Sequence, residues 1–197
     1  MRIAFIANTD GHLDTLEKLM LTLCARTDID RIVGVGDAVN DLSMVYERRC
    51  LLFPKEVNWQ QDEYRKFVLA SVIHGISDVP PEESSRNERM GQMLQGMAIP
   101  PKGWQYGPCR ILQEQKPEGE DPCLILTAGK NLPDGPRPFI KKLSSKQFVI
   151  CPGRVIEGNR KPSTSAVVTL GDSLQIYYVD QNNQWTSAER YILPEIA

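Results

Sequence analysis

Two short polar segments of the chain hold side chains that could bind a hard metal ion. Asn8 and Asp10 follow one apolar run, and Asp37 follows the next. Their amide and carboxylate oxygens are ligands that suit one Mg²⁺ or Mn²⁺ ion with several waters retained. The same residue types are also common in turns and at the N-caps of helices. The segments therefore indicate either a single-metal site or the ordinary chemistry of a turn.

A strand, a helix and a second strand must position these side chains. Residues 2–8 form an apolar run typical of a strand covered on both faces. From Leu13 to Cys24 apolar residues recur at helical spacing, and residues 31–35 form the second strand. This order predicts a right-handed crossover and parallel pairing. Both polar segments should then lie at the carboxyl edge of one sheet, where open α/β sheets place their ligands.

The remaining sequence predicts three more helical stretches and a strand-rich second half. Helices are expected at 42–52, from 62–66 onward and at 82–97, the last with a methionine stripe typical of core packing. Lys141, Lys142 and Lys146 are expected in a solvated helix or loop. Apolar runs predict the later strands at 109–113, 123–127, 148–151, 166–170 and 174–179.

The two polar segments resemble the strand ends of calcineurin-like metallophosphoesterases, in which Asp-x-His-Gly is followed by Gly-Asp-x-Val. Here Asn8 stands in place of the Asp, Asp10 in place of the His, and Asp37 is retained. Later blocks follow the family's order, with 123–133 in place of a Gly-His-Thr-His loop and 148–155 in place of Asn-Pro-Gly-Ser. The resemblance implies an α/β fold, a four-layer α/β/β/α sandwich of two mixed sheets, for a single domain over residues 1–197. Residues 42–108 match the family least.

The chemistry that this resemblance implies is hydrolysis of phosphate esters by two metal ions, which polarise the phosphoryl group and activate a bridging water. Such a site takes four or more imidazoles, and the whole chain contains two histidines. His74 is the candidate ligand or general acid, or otherwise a hydrogen-bonded loop residue. Gln113 and Glu114 fall where a His-Gly block is expected. We therefore expect that two-metal hydrolysis is lost and that no cofactor is bound.

Three functions stay open at this point. The preferred one is a binding or scaffold subunit with another protein as its partner, since the family includes non-catalytic members that serve as docking platforms. The second is a phosphoesterase with one Mg²⁺ or Mn²⁺ held by Asn8, Asp10 and Asp37, with His74 assisting. The third is a metal-free sensor of a phosphate-containing small molecule. Its anion-binding side chains would be Lys130, Asn131 and Arg154.

Aromatic residues in segments rich in proline and glycine are the candidate contacts for a protein partner. Trp59, Trp104 and Tyr106 lie in or beside such segments, and aromatic side chains often anchor interfaces. The same residues could pack back onto their own domain instead.

The composition excludes several classes of protein. The formal net charge of −2 argues against general nucleic-acid binding, and no apolar run approaches the length of a membrane span. The N-terminus shows no signal-peptide pattern, so a cytoplasmic protein is expected. The five cysteines are widely spaced and form no metal-binding pair, which predicts reduced and mostly buried thiols.

Overall fold

A computed structural model gives the architecture of most of the chain. It describes residues 1–52, 81–106, 109–115, 117, 119–129, 138–155, 163–169, 174–180, 185–186 and 190–191. The three helices among these residues are α1 (Leu13–Cys24), α2 (Ala38–Leu52) and α3 (Pro81–Met93). The strands are β1 (Arg2–Ala7), β2 (Arg31–Val35), β3 (Trp104–Tyr106), β4 (Cys109–Gln113), β5 (Cys123–Leu126), β6 (Phe139–Lys142), β7 (Gln147–Cys151), β8 (Thr164–Thr169), β9 (Leu174–Asp180), β10 (Trp185–Thr186) and β11 (Arg190–Tyr191).

Within the described residues the strands form two mixed sheets. The first sheet has the order β10-β9-β8-β1-β2, with β11 also paired to β9, and the second has the order β3-β4-β5-β7-β6. β1 runs parallel to β2 and antiparallel to β8. β4, β5 and β7 are parallel, while β3 and β6 pair antiparallel at the two edges. The predicted α/β fold of two mixed sheets is thus confirmed.

The continuous apolar run of β1 is explained by burial on both of its faces. Ile3, Phe5 and Ala7 face the second sheet and join the core between the two sheets. Ala4 and Ile6 face the other way and pack against the helices. Because strand side chains alternate between faces, a strand buried on both sides must be apolar at every position.

The three described helices all pack on the outer face of the first sheet. Their buried side chains join one core cluster with residues of β1, β2, β8 and β9. The outer face of the second sheet carries a smaller apolar cluster of Leu112, Cys123 and Ile125. No described helix lies on that face, so the fourth layer of the expected sandwich stays a prediction.

Charged side chains connect the helices to one another. Arg49 of α2 is buried, and its guanidinium binds the Glu17 carboxylate of α1 at 2.7 Å. The Nε atom of Arg49 also donates to the Asn87 Oδ1 atom of α3 at 2.9 Å. Arg89 of α3 donates to the carbonyl oxygen of Cys24 at 2.8 Å, at the end of α1. These contacts fix the relative positions of all three helices.

Several elements differ from the sequence-based expectation. α2 begins at Ala38 rather than at residue 42, and the helical stretch expected from 62–66 onward lies outside the described residues. α3 ends at Met93 and a turn follows it, so the helix expected at 82–97 is shorter than predicted. Trp104–Tyr106 is a strand rather than an irregular segment. The prediction of a solvated helix or loop for Lys141 and Lys142 is wrong, because both lie in edge strand β6. Lysine is common on exposed edge strands because its charge opposes pairing with the strands of other chains. No helix in the described part of the chain is both long and apolar enough to cross a membrane.

Candidate functional site

The side chain of Asn8 connects the carboxyl ends of three strands. Asn8 directly follows β1, and its Nδ2 atom donates a hydrogen bond to the carbonyl oxygen of Ala128 at 2.6 Å, just beyond β5. The same nitrogen donates to the carbonyl oxygen of Gly153 at 2.8 Å, just beyond β7. β1 belongs to the first sheet, and β5 and β7 belong to the second. One amide group therefore joins the two sheets at the edge where the ligand site was predicted.

The backbone of Asn8 is equally fixed. Its carbonyl oxygen accepts a hydrogen bond from the amide of Val155 at 3.0 Å. Its φ is 52°, a left-handed conformation that asparagine tolerates better than most residues. Only 1% of the residue is exposed, yet its Oδ1 atom has no hydrogen-bond partner among the described residues. Asn8 thus donates from one end of its amide and leaves a buried acceptor at the other.

A carboxylate on α2 orders the loop between β1 and α1. Asp41 accepts a hydrogen bond from Thr9 Oγ1 at 2.5 Å and another from the amide of Gly11 at 3.0 Å. Asp10, between these two partners, is exposed and has a φ of 45°. Asp10 therefore occupies the left-handed position of a tight turn, which favours the turn interpretation of this residue over the metal-ligand interpretation.

Asp37 lies in the turn between β2 and α2 and is half-buried. Its carbonyl oxygen accepts a hydrogen bond from the amide of Asn40 at 3.1 Å. Gly34, three residues earlier, lets α2 approach β2 closely, because a Cβ atom there would lie 2.6 Å from the amide nitrogen of Val39. The close contact fixes where the turn, and hence Asp37, leaves the sheet.

Glu114 fixes a third loop, at the end of β5. Its carboxylate accepts from the amide of Ala128 at 2.5 Å and from Thr127 Oγ1 at 3.1 Å. From the sequence, Glu114 was expected only to lie near the place of a His-Gly block. Its φ of 54° is unusual for a residue other than glycine and marks an irregular turn. The contact with Ala128 joins two sequence segments that no local pattern relates.

The donor set at this edge does not fit a two-metal centre. The residue in the place of the expected Asp, Asn8, turns its amide nitrogen inward, and Asp10 is exposed. Within the described ranges no group of three or more His, Cys, Asp or Glu side chains could hold a metal ion. The predicted residues His74, Lys130 and Asn131 lie outside the described residues, so the structure does not test them.

Arg154 lies at the same edge, between the residues that Asn8 contacts. Gly153 precedes it and Val155 follows it, and both are hydrogen-bonded to Asn8. Arg154 is half-buried. The structure therefore brings this predicted anion-binding residue next to the predicted ligand Asn8.

The aromatic residues predicted to contact a partner pack on their own domain where the structure describes them. Trp104 and Tyr106 lie on β3, and both are partly buried against the core between the sheets. Trp59 lies outside the described residues. The position of the first two favours the alternative that these side chains serve the core, and partner contact stays a prediction.

The cysteine thiols lie away from this edge or are deeply buried. Four of the five are buried, as predicted, and Cys50 is half-buried. Burial raises the pKa of Cys24 to about 12 and that of Cys109 to about 11. Burial also raises the pKa of Cys123. Neutral thiols of this kind are poor nucleophiles, so none of these three is a candidate for covalent catalysis.

Solved structures similar to this chain include a metallophosphoesterase and a predicted phosphoesterase. The first is a metallophosphoesterase from Sphaerobacter thermophilus, with 13% identity and a TM-score of 0.38 over 98% of this chain and 89% of that one. The second is a conserved uncharacterized protein from Streptococcus pneumoniae TIGR4, a predicted phosphoesterase, with 12% identity and a TM-score of 0.38 over 97% of this chain and 98% of that one. No protein-family model matches the chain, and no curated protein matches it. At these identities and TM-scores the similarity transfers no residue roles and no activity.

Proposed function

We propose that this protein is a metal-independent binding or scaffold subunit, with another protein as its partner, built on a metallophosphoesterase-like fold. The observation that carries the proposal is the buried amide of Asn8, which donates to the carbonyl oxygens of Ala128 and Gly153. In an enzyme of the resembled family this place would hold an anionic metal ligand. Here it holds a hydrogen-bond donor that needs no metal.

The two carbonyl acceptors explain why the residue is an asparagine. Each acceptor lies within 2.8 Å of Nδ2, so the atom in that place must carry hydrogens. An ionised carboxylate in the same place would bring an oxygen against two carbonyl oxygens, and a buried charge without a partner is strongly unfavourable. A binuclear centre needs the charge that Asn8 lacks. The arrangement therefore supports a role that does not depend on metal.

Three loops of the carboxyl edge are held by side chains, which supports a docking role for this edge. Asn8 fixes the residues after β5 and β7, Asp41 fixes the loop after β1, and Glu114 fixes the loop after β5. A surface whose loops are already ordered loses little conformational entropy when a partner binds. Asp10, in the loop after β1, is exposed at this edge.

Metal content is the direct test of the metal-independent role. Protein purified without chelator would be dialysed against Mn²⁺ or Mg²⁺ and measured by elemental mass spectrometry, together with hydrolysis of phosphodiester substrates. We expect no stoichiometric metal and no hydrolysis. Retention of about one metal per chain together with hydrolysis that is lost in Asp37→Ala would refute the proposal.

The docking role needs its own test, which compares a charge reversal at the carboxyl edge with one at the amino edge. Asp10→Lys changes the exposed carboxyl edge, and Glu120→Lys makes the same change in the exposed segment before β5, at the amino edge. We expect a partner that co-purifies in the presence of chelator to be lost with the first variant and kept with the second. If both variants retained the partner equally, the docking surface would not lie at this edge.

One observation favours the single-metal alternative. The Oδ1 atom of Asn8 is buried and has no hydrogen-bond partner in the part of the chain that the structure describes. Such an oxygen could coordinate one Mg²⁺ or Mn²⁺ ion alongside Asp37. In that role Asp10 and His74 would complete or assist the site. The metal measurement separates the two functions, since only this alternative predicts bound metal.

A further inference from the structure

The backbone around Arg154 is one of the most heavily hydrogen-bonded parts of the carboxyl edge. The carbonyl of Pro152 accepts from Thr164 Oγ1 at 2.9 Å, and the carbonyl of Gly153 accepts from Asn8 Nδ2 at 2.8 Å. The carbonyl of Arg154 itself accepts from the amide of Thr164 at 3.2 Å. The segment is therefore held from both sides, by the end of β1 and by the start of β8.

The surroundings of Gly153 make this segment rigid as well as ordered. Gly153 has a φ of +96°, which disfavours any residue with a side chain. A Cβ atom there would lie 2.1 Å from Thr164 Oγ1. Val155 is buried among the helix-side core residues. The Cα atom of Arg154 is thus fixed in place while its neighbours are anchored to β1, to β8 and to the core.

The guanidinium of Arg154 has no partner among the described residues, and this sets it apart. Every other buried or half-buried arginine with a described side chain binds a carboxylate or main-chain carbonyl oxygens. Those arginines are Arg2, Arg26, Arg48, Arg49 and Arg89. A half-buried arginine whose guanidinium is unpaired gains no counter-charge from the described residues for the hydration that its burial removes. Arg154 is the arginine of this group whose charge the described chain does not satisfy.

We propose that Arg154 is the recognition residue of a metal-free site that binds the phosphate group of a small molecule. A guanidinium presents a planar fork of donors that matches the oxygens of a phosphate bidentately. The amino ends of α1 and α2 follow β1 and β2 at the same edge, and helix amino ends favour negative charge. The inference goes beyond the proposed scaffold role and does not require it.

The acidic residues of this edge leave the guanidinium available. The Asp41 carboxylate is already bound to Thr9 Oγ1 and the amide of Gly11. Neither Asp10 nor Asp37 forms an ion pair with Arg154 in the described structure. Asp10 is exposed, and its negative charge would weaken the binding of an approaching anion by repulsion. Removal of that charge in Asp10→Asn should therefore strengthen phosphate binding rather than abolish it.

The test is a titration of the full-length protein in chelator with inorganic phosphate, at constant ionic strength, followed by the thermal unfolding midpoint and by calorimetry. Acetate serves as the carboxylate comparison. Arg154→Gln removes the charge and Arg154→Lys keeps the charge without the fork. Arg31→Gln is the matched control, because Arg31 is exposed at the opposite, amino end of β2.

We expect phosphate to raise the unfolding midpoint of the wild type and of Arg31→Gln to the same extent. Arg154→Gln should weaken the apparent affinity about ten- to hundredfold, which corresponds to loss of a charged hydrogen-bonding group. Arg154→Lys should fall between the two. The inference is overturned if the wild type shows no phosphate-dependent stabilisation, if Arg154→Gln responds like the wild type, or if acetate alone stabilises. Metal content has no bearing on these results, so they stand apart from the test of the scaffold role.

Discussion

The Nδ2 atom of Asn8 donates a hydrogen bond to the carbonyl oxygen of Gly153 at 2.8 Å, across 145 residues of sequence. The contact joins the first residue after β1 to the residues that follow β7, a strand of the other sheet. The same nitrogen holds Ala128. The asparagine is therefore a structural requirement of this edge rather than a neutral replacement of a metal ligand.

Asn8→Asp should destabilise the fold, and the loss should grow with pH. A carboxyl in this place faces two carbonyl oxygens, so its pKa in the folded state should be raised above its ordinary value of about 3.9. A group whose pKa is raised in the folded state contributes to the free energy of unfolding at low pH. That contribution is lost as the pH rises through the folded-state pKa. We expect a loss of about 3 kcal/mol at pH 7, measured by urea unfolding.

Asn8→Ala is the control for that titration. It removes the same two hydrogen bonds without adding a titratable group, so its destabilisation should not change between pH 5 and pH 8 on this account. Parallel pH profiles for the two variants would contradict the assignment of the effect to the carbonyl acceptors.

Asp41→Ala should loosen the loop between β1 and α1. The variant removes the acceptor of Thr9 Oγ1 and of the Gly11 amide, and we expect a loss of about 1–2 kcal/mol. A double-mutant cycle with Thr9→Val isolates the contact between the two side chains. Additive losses in the cycle would show that Asp41 acts through Gly11 alone.

Glu17→Ala should cost more than the loss of an exposed ion pair. Arg49 keeps only 3% of its side chain exposed, and Glu17 is its carboxylate partner. Removal of one member of a buried ion pair typically costs about 3–5 kcal/mol. The double variant Glu17→Leu/Arg49→Met should recover part of this loss in denaturant unfolding, since it leaves no buried charge. A double variant no more stable than Glu17→Ala would argue against this explanation.

Two glycines at the end of β2 distinguish the effect of close packing from the effect of backbone conformation on stability. Gly36→Ala should cost about 1–2 kcal/mol, because Gly36 has a φ of +69° but open space around its Cα atom. Gly34→Ala should cost more, because its new Cβ atom would lie 2.8 Å from the Cα atom of Val39 and push α2 away from β2. Thermal unfolding of both variants gives the order, and a larger loss for Gly36→Ala would be inconsistent with the close approach of α2.

The buried thiols predict a loss of stability at alkaline pH. Burial raises the pKa of Cys24 to about 12 in the folded protein, while an ordinary thiol titrates near 9.0. The folded state then keeps a proton that the unfolded chain releases, so the free energy of unfolding should fall as the pH rises from about 9 towards 12. The slope should be smaller in Cys24→Ala, measured by urea unfolding at pH 8 and pH 10.

Local patterns predicted those parts of the fold that depend on local sequence. The apolar run at 2–8 and the helical spacing of 13–24 correspond to β1 and α1, and the parallel pairing of β1 with β2 followed from their order. The five later strands were placed within about two residues of their observed bounds. β3 and β6 were missed because each is a short edge strand, and edge strands lack the continuous apolar run that marks a buried one.

The strand order predicted that the polar segments meet at one sheet edge, but not the hydrogen bonds that form there. The sequence predicted that Asn8, Asp10 and Asp37 lie at one edge of a sheet, since the carboxyl ends of neighbouring parallel strands lie side by side. It could not show that Asn8 donates to Ala128 and Gly153, because every residue has a main-chain carbonyl and the sequence does not mark which ones accept a hydrogen bond. The contact of Glu114 with Ala128 was missed for the same reason. The sequence also could not show that Arg154 has no ion-pair partner among the described residues, because that depends on where the acidic side chains lie in the fold.

The position of β1 inside the first sheet has a consequence for how the chain folds. Its neighbours are β2, which follows within thirty residues, and β8, which begins at Thr164. On the ribosome, the amino-terminal β-α-β unit therefore emerges long before the strand that covers its other edge. Pairings of such long sequence separation slow folding, because a large loop must close before the contact forms. Until β8 arrives, β1 exposes an unpaired apolar edge, and this interval is when the nascent chain most needs protection from aggregation.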